Sequence, residues 1–357
     1  MKTFQFVPKY KNKLISSCAK KYILALLISR GKKNCTSMSY ELGIPHNHIY
    51  SFLDPKNFQE KAFKSYLISM VHIYATKENA GVFIVDNSQI VKLFSKKLPC
   101  VGYDFNSSMK LVLKGMSCVT AVWTNGKIVV PLSFDFWIRK KELPNDTKYK
   151  KKIEISIELI DEYKDIIPFE YIALDGDYGN ACFFDYLQKN KLKYSIRMPK
   201  SRIVSINRVE TQLKNHKVFN FKKNEKYKTS KGSYKGNKMY FTAHKRNGPN
   251  RTKQVVFIAS NIEGLTSKQH VQAFSLRWPI EKMFRTLKQS LGIKDCQSTS
   301  MQKQRAHIFA TFMAFAKLEK QKIFKKKKSP EQVLKKIRFQ NKPKQNSTLS
   351  VLEGLIM

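Results

Sequence analysis

Residues 274–288 read FSLRWPIEKMFRTLK, and two sets of side chains recur along them at helical spacing. The apolar set predicts a helix with one face against a core, and it consists of Ile280, Phe284, Leu287 and Leu291. The charged set has one acid among three bases, namely Arg277, Glu281, Arg285 and Lys288. One carboxylate among cations, at the border of an apolar face, is the arrangement expected if the carboxylate binds a metal and the neighbouring cations bind phosphate. A solvated ion pair between Arg277 and Glu281 is the alternative interpretation.

Pro279 interrupts this pattern, because proline cannot donate the backbone hydrogen bond that a helix interior needs and is tolerated in the first turn. The sequence therefore predicts a helical segment from Ser267 to Leu291 with a kink near Trp278. We expect Glu281 in the first turn beyond that kink.

The composition favours a nucleic-acid partner. The chain of 357 residues is 42% apolar, which is typical of a folded protein with two or three domains. Its 67 lysines and arginines against 26 acids give a net charge of +41, and such a charge attracts polyanions, of which nucleic acid is the expected one. The six cysteines lack zinc-site spacing, so reduced thiols are expected. No apolar run is long enough to span a membrane, so we predict a cytoplasmic, nucleoid-associated protein without a membrane partner.

Residues 1–79 are predicted to form a helical, DNA-binding domain. A short helix near residues 38–42, a turn at Gly43 and a second short helix near residues 46–53 have the outline of a helix-turn-helix. In that interpretation the side chains facing a DNA groove are His46, Asn47, His48 and Tyr50. A plain helical pair that caps the next domain would have the same pattern.

Residues 80–300 are predicted to form an α/β domain, with an α+β mixed sheet and helices on its faces. Its predicted strands are residues 82–85, parts of 111–123 and 127–137, 169–174 and 194–198; its predicted helices are residues 146–166 and 181–190, and residues 102–108 form a polar loop. A β-rich insertion is predicted at about residues 199–253. Residues 301–357 are predicted to form a basic helical C-terminal region, in which residues 320–344 carry eleven bases and one acid. A charge run of this kind is usually solvated, and it could add non-specific affinity for nucleic acid.

Three carboxylates are candidates for one metal site. Asp86 and Asp175 each end a predicted apolar strand, and Glu281 is offered by the late helix. Ends of neighbouring strands share a sheet edge, where oxygen ligands can bind two Mg²⁺ ions that promote displacement at phosphorus. Aspartates at strand ends are also common turn formers. Asp177 is the rival of Asp175, and Asp104 in the polar loop is a further candidate.

The spacing Phe274-x2-Arg277-x3-Glu281-x6-Lys288 resembles the Tyr-x2-Arg-x3-Glu-x6-Lys signature of DDE transposases from bacterial insertion sequences. It departs only at Phe274, which lacks the phenol hydroxyl. The segment around Asp86-Asn87-Ser88 is similar to the family's first aspartate motif, at the end of the first core strand. Asp175, followed three residues later by Tyr178, is similar to the second motif, and the long interval to Glu281 matches members with a β insertion.

The resemblance implies a ribonuclease-H-like catalytic core and transposase activity. It implies that Asp86, Asp175 and Glu281 bind two Mg²⁺ ions, for which Mn²⁺ can substitute. It assigns contacts with DNA near the transposon end to this helical segment, through Phe274, Arg277, Trp278, Arg285 and Lys288. Trp278 would stack on a base or pack in the core. Cleavage at insertion-sequence ends and joining to target DNA would require two DNA ends, and therefore a homodimer in the complex.

Two alternatives remain compatible with the sequence. The first is a metal-dependent nuclease that cleaves DNA without joining it. The second is a DNA-binding protein that has lost its chemistry, a possibility to which the departure at Phe274 contributes. An RNA-binding module is disfavoured because no RNA-recognition aromatic motif is present.

Overall fold

A computed structural model describes residues 15–106, 109–143, 148–247 and 253–340. Several predictions therefore fall partly outside the described residues, at positions 1–14, 107–108, 144–147, 248–252 and 341–357. The predicted domain boundaries at residues 79/80 and 300/301 stay predictions.

A mixed sheet forms the centre of the protein. Its first strands are β1 (Val82–Val91), β2 (Gly102–Asn106), β3 (Leu111–Thr124), β4 (Val129–Trp137), β5 (Tyr171–Leu174) and β6 (Tyr194–Met198). β3 pairs antiparallel with β1 on one edge and with β2 and β4 on the other. β5 lies parallel to both β1 and β6. The predicted α/β class with a mixed sheet is confirmed, and the arrangement is consistent with a ribonuclease-H-like fold.

The β-rich insertion extends the same sheet. Its strands are β7 (Ile203–Ile206), β8 (Val209–Gln212), β9 (Tyr227–Tyr234), β10 (Asn237–Asn247) and β11 (Lys253–Ser260). β11 pairs antiparallel with β6, so the spatial order from the far edge is β2, β3, β1, β5, β6, β11, β10, β9, β7 and β8. The insertion is therefore joined to the catalytic sheet by backbone hydrogen bonds.

The ten α-helices of the described residues either cover the two faces of this sheet or pack against other helices. They are α1 (Ser17–Ile28), α2 (Cys35–Leu42), α3 (His46–Tyr50), α4 (Glu60–Tyr74), α5 (Lys152–Tyr163), α6 (Ala181–Lys189), α7 (Ser267–Ser275), α8 (Pro279–Gln289), α9 (Met301–Phe324) and α10 (Pro330–Gln340). Alternate residues of β1 point to opposite sides. Ile84 shares a core with α8 and α9, whereas Phe83 shares the other core with α4, α5 and α6.

Three segments differ from their predictions. The predicted loop at residues 102–108 begins with the edge strand β2, because Asp104 and Asn106 bond to Ser117 and Gln89 and so satisfy polar side chains within the sheet. The helix predicted at residues 146–166 occupies only Lys152–Tyr163 among the described residues. The basic C-terminal run is not wholly solvated, since α10 buries Val333, Leu334 and Ile337 in the core that contains α1 and α9.

No helix in the described ranges is both long and apolar enough to cross a membrane. The longest of them is α9, and most of its apolar residues are buried against other parts of the protein. It packs against α1, α4, α8, α10 and β4, and so connects the N-terminal helices to the sheet.

Because His307 on α9 is buried, we expect the protein to lose stability in acid. This histidine is fully buried, its Nδ1 accepts from the Tyr22 hydroxyl at 2.8 Å, and its Nε2 donates to the Gly292 carbonyl at 2.9 Å. Burial lowers the pKa of His307 from 6.5 to about 4. Below pH 6.5 the imidazole of the unfolded chain therefore binds a proton, whereas that of the folded protein stays neutral. This difference lowers the free energy of unfolding by about 2 kcal/mol between pH 7 and pH 5.

Urea unfolding at pH 7 and pH 5 measures this effect, with His307→Gln as the comparison. The glutamine has no titratable ring, so the variant should be less stable at pH 7 but lose about 2 kcal/mol less than wild type on acidification. Equal losses in the two proteins would show that His307 is not the responsible group.

Candidate active site

The first candidate carboxylate lies inside a strand rather than at its end. β1 continues to Val91, so the prediction that Asp86 ends the strand is wrong. The physical reason is that β3 pairs with β1 along its whole length, with Asp86 opposite Thr120. The parallel partner β5, however, stops at Leu174, which is opposite Val85. Asp86 therefore lies at the point where one side of β1 becomes unpaired.

Asp175 follows β5 directly and comes next to Asp86 across the sheet. Because Val85 and Leu174 are in register on neighbouring parallel strands, the two aspartates leave the paired region together. Both belong to the strand face on which α8 packs, as shown by Ile84 and Ala173 in the α8 core. Asp177 is exposed on the following turn, whereas Asp175 Oδ1 is buried and accepts no hydrogen bond among the described residues.

The predicted kink near Trp278 is confirmed, since one helix ends before this residue and the next begins directly after it. α7 ends at Ser275, and α8 begins at Pro279, with Glu281 in its first turn. The first turn is a favourable place for a carboxylate, because the helix dipole is positive there. Arg277 lies in the connection between the two helices, with only 5% of its surface exposed.

One guanidinium joins carboxylates from distant parts of the chain. Arg277 Nη1 donates to Asp86 Oδ2 at 3.0 Å, and Nη2 donates to Glu281 Oε1 at 2.5 Å. Residues 191 positions apart in sequence thus share one buried ion pair. The resemblance predicted that Asp86 and Glu281 converge, and in the structure they contact the same side chain.

The charges at this site perturb one another. Burial raises the pKa of Asp86 above its usual 3.8, and the carboxylates of Asp175 and Glu281 raise it further, while Arg277 and the Asn87 N–H oppose the shift. Burial lowers the pKa of Arg277, but attraction by Asp86, Asp175 and Glu281 outweighs it and raises that pKa overall. Both directions are expected of a buried acidic cluster held by one cation.

Arg197 is a site residue that the sequence did not single out. It lies on β6, next to β5, and its Nη1 is 3.7 Å from Asp175 Oδ1. An isolated arginine in an apolar strand belongs to no sequence pattern that would mark it as a site residue. Only its place in the fold could have indicated this role, because β6 follows β5 in a parallel arrangement and Arg197 lies near the same strand ends.

The predicted DNA-contacting residues on α7 and α8 differ in accessibility. Phe274 is buried, and its ring centroid is 5.8 Å from the Arg277 guanidinium carbon, so it packs rather than facing solvent. Trp278 is 46% exposed, which excludes a core role, and Arg285 is exposed as well. Burial lowers the pKa of Lys288, which lies half-buried on the Asp86 side of α8.

The predicted helix-turn-helix has the expected outline. Gly43 takes the left-handed conformation between α2 and α3, with φ of 63°. On α3 the buried side chain is Ile49, and the exposed ones are His46, Asn47, His48 and Tyr50. His46 stacks on Tyr50 with 5.6 Å between ring centroids, and Lys303 lies 4.4 Å from the Tyr50 ring centroid. Contact with DNA stays a prediction.

The donor set suits a divalent cation, although it is not preassembled. DDE nucleases generally use divalent metal ions, and hard cations prefer carboxylate oxygens such as those of Asp86, Asp175 and Glu281. The buried Oδ1 of Asp175 accepts no hydrogen bond from the described residues, so it can accept a cation. Within the described parts of the chain, no group of three or more acids, histidines or cysteines is close enough to hold an ion as it stands.

Comparison with known proteins agrees with this geometry. The family profile described as DDE superfamily endonuclease matches residues 5–217. That range contains Asp86 and Asp175 and ends before Glu281. A comparison with curated proteins gave no match. Since the matched range covers more than half of the chain and the two aspartates meet at one edge of the sheet, the chain belongs to the DDE superfamily endonucleases, a DDE-type transposase family.

Proposed function

We propose that this protein is a transposase that cleaves DNA at the ends of an insertion sequence and joins them to target DNA. The observation that carries the proposal is the meeting of Asp86 and Glu281 on one buried guanidinium, beside Asp175 on the neighbouring strand. The family supports endonuclease activity, and the spacing of Arg277, Glu281 and Lys288 favours transposition within it.

Asp86, Asp175 and Glu281 would hold two Mg²⁺ ions, or Mn²⁺ in their place. Such ions would supply activation of a water or 3′-hydroxyl nucleophile and stabilisation of the leaving oxygen. The protein itself contributes ligand placement, because two ligands are fixed by neighbouring strands and the third by the first turn of α8. Once an ion draws the three acids together, such placement would keep the reacting groups aligned.

The basic residues around the acids would bind the DNA backbone. Arg197 and Lys288 flank the carboxylates, and both can donate to phosphate oxygens. The exposed Trp278 offers a ring for stacking on an unpaired base. The partner in this proposal is double-stranded DNA, first bound through the exposed side of α3, and two protein copies would assemble on the paired DNA ends.

The test is a reaction of purified protein with Mg²⁺ and labelled duplex that carries the element's terminal inverted repeats, identified in the DNA that flanks the gene. We expect nicks at the repeat ends and, with added plasmid, covalently joined products. Nicks without joined products would favour a nuclease. DNA binding that persists in EDTA, without any cleavage in Mg²⁺ or Mn²⁺, would contradict the enzymatic function and favour a protein that only binds DNA.

A further inference from the structure

The guanidinium of Arg277 occupies the space between two of the three candidate metal ligands. Its Nη atoms donate to Asp86 Oδ2 at 3.0 Å and to Glu281 Oε1 at 2.5 Å. Its Nε is buried and has no hydrogen-bond partner among the described residues, so the hydrogen bonds of the guanidinium within that part of the chain are those of Nη1 and Nη2 to the two carboxylates. The side chain is 6% exposed, far less than the 40% of Glu281.

An ion that bridges Asp86 Oδ2 and Glu281 Oε1 would have to take the place of the guanidinium, because these two oxygens accept its N–H groups. The other Asp86 oxygen, Oδ1, already accepts from the Asn87 N–H at 2.8 Å. A positive guanidinium a few ångströms from a dication would also be repelled by it in this partly buried site. Asp86 Oδ2 and Glu281 Oε1 can therefore bind Arg277 or the ion, but not both in this arrangement.

We propose that Arg277 is a metal-entry latch: it holds Asp86 and Glu281 in the metal-free protein, and its guanidinium must leave them before a divalent cation can bind there. This inference rests on the metal site of the proposed function and adds a step that precedes DNA chemistry. Arg277 positions the acids in this role, in that it keeps two ligands from different elements together while no ion neutralises them.

The surroundings provide a route for the released side chain. The guanidinium carbon is 5.8 Å from the ring centroids of both Phe274 and Trp278. Phe274 is buried, whereas Trp278 is 46% exposed, so movement over the indole takes the charge towards solvent while it keeps a favourable contact with a ring. Asp175 Oδ1 has a long ion pair of 3.7 Å with Arg197 Nη1 and no hydrogen bond among the described residues, and the latch does not hold it.

With a latch, the apparent association constant for the metal equals that of the open site multiplied by the fraction of time for which the latch is open. If Arg277 is closed about 90% of the time, the apparent dissociation constant is about tenfold higher than that of the open site. Removing the latch should therefore strengthen metal binding. A residue that merely preorganised the ligands would produce the opposite change when removed.

The experiment is a calorimetric titration of Mn²⁺ into the full chain without DNA, for wild type, Arg277→Gln and Arg277→Lys. We expect about tenfold tighter binding for Arg277→Gln, by the same population argument. Arg277→Lys should also bind more tightly, by severalfold, because lysine keeps the charge but lacks the planar fork that bridges two carboxylates. Lys282→Gln is the matched control, since it removes one positive charge beside Glu281 from an exposed position and should change affinity less than about twofold.

Unchanged or weaker Mn²⁺ binding by folded Arg277→Gln would overturn the latch. A second measurement uses only wild type, so it does not depend on variant folding: nitrogen-15 arginine spectra should lose one slowly exchanging guanidinium signal on saturation with Mg²⁺. Retention of every such signal would also overturn it. Wild-type Mn²⁺ binding that Asp86→Asn abolishes, with no gain in the Arg277 variants, would contradict the latch alone, whereas no Mn²⁺ binding by any protein would contradict the proposed function too.

Discussion

Asp175→Asn should reduce the rate of Mg²⁺-dependent DNA cleavage by about 10³-fold, while Asp177→Asn leaves it within about twofold of wild type. The two substitutions make the same chemical change two residues apart. Asp175 follows β5 directly at the edge where Asp86 lies, and its buried Oδ1 has no hydrogen-bond partner among the described residues. Asp177 is exposed on the next turn. An amide cannot replace the charge that a dication requires from its ligand.

Initial rates of nicking on end-labelled duplex measure this difference, with thermal melting as the check that both variants are folded. Asp86→Asn and Glu281→Gln should cause losses of similar size, because each removes one ligand from the same site. A large loss in Asp177→Asn with full activity in Asp175→Asn would exchange the roles of the two aspartates. Full activity in Asp86→Asn or in Glu281→Gln would contradict the proposed carboxylate site.

The helical segment could be predicted from sequence because its signals are local. Pro279 sets the start of α8 by its own backbone chemistry, and Glu281 follows within the same turn. The apolar spacing of Ile280, Phe284 and Leu287 reports the buried face directly, and all three are buried. Nothing beyond a dozen neighbouring residues was needed for these predictions.

The position of Asp86 within β1 could not be predicted in the same way. The polar residues that follow Val85 are typical of the end of a strand, but β3 continues to pair with β1 through Ser88 and Gln89. Whether a strand ends depends on the length of its neighbours, which lie elsewhere in the chain. The edge strand β2 was missed for a related reason, since its alternation includes the exposed aromatic residues Tyr103 and Phe105.

Contacts between side chains of distant elements were the least predictable features. The resemblance to the family assigned Arg277 to DNA, and only the structure places its guanidinium on Asp86 and Glu281. Arg197 reaches Asp175 through the pairing of β5 with β6, which no spacing within either strand encodes. Predictions about DNA contacts by Trp278 and α3 still require binding measurements.

Arg305→Met should lower the free energy of unfolding by about 2 kcal/mol. Arg305 lies near the start of α9, where Nε and Nη2 donate to the two carboxylate oxygens of Glu60 at 2.5 and 2.9 Å. Nη1 donates to Asp135 on β4 at 3.2 Å, but that acid is 45% exposed and should contribute little after solvent screening. The guanidinium carbon is also 4.9 Å from the Phe134 ring centroid. Methionine keeps much of the volume and leaves the Glu60 charge without its bidentate partner.

Urea unfolding at pH 7 measures the loss, and a double-mutant cycle with Glu60→Gln isolates the pair from other effects of each substitution. The double variant should be less destabilised than the sum of the two single variants, because Arg305→Met no longer removes the bidentate partner of a charged carboxylate once Glu60 is neutral. Lys64 Nζ, 3.2 Å from Glu60 Oε1, remains beside this carboxylate in both Arg305 variants. Lys320→Met is the matched control: it removes one positive charge near the other end of the same helix and should change stability by less than about 0.5 kcal/mol. A loss in Arg305→Met no larger than in Lys320→Met would mean that this ion pair does not stabilise the junction of α4, β4 and α9.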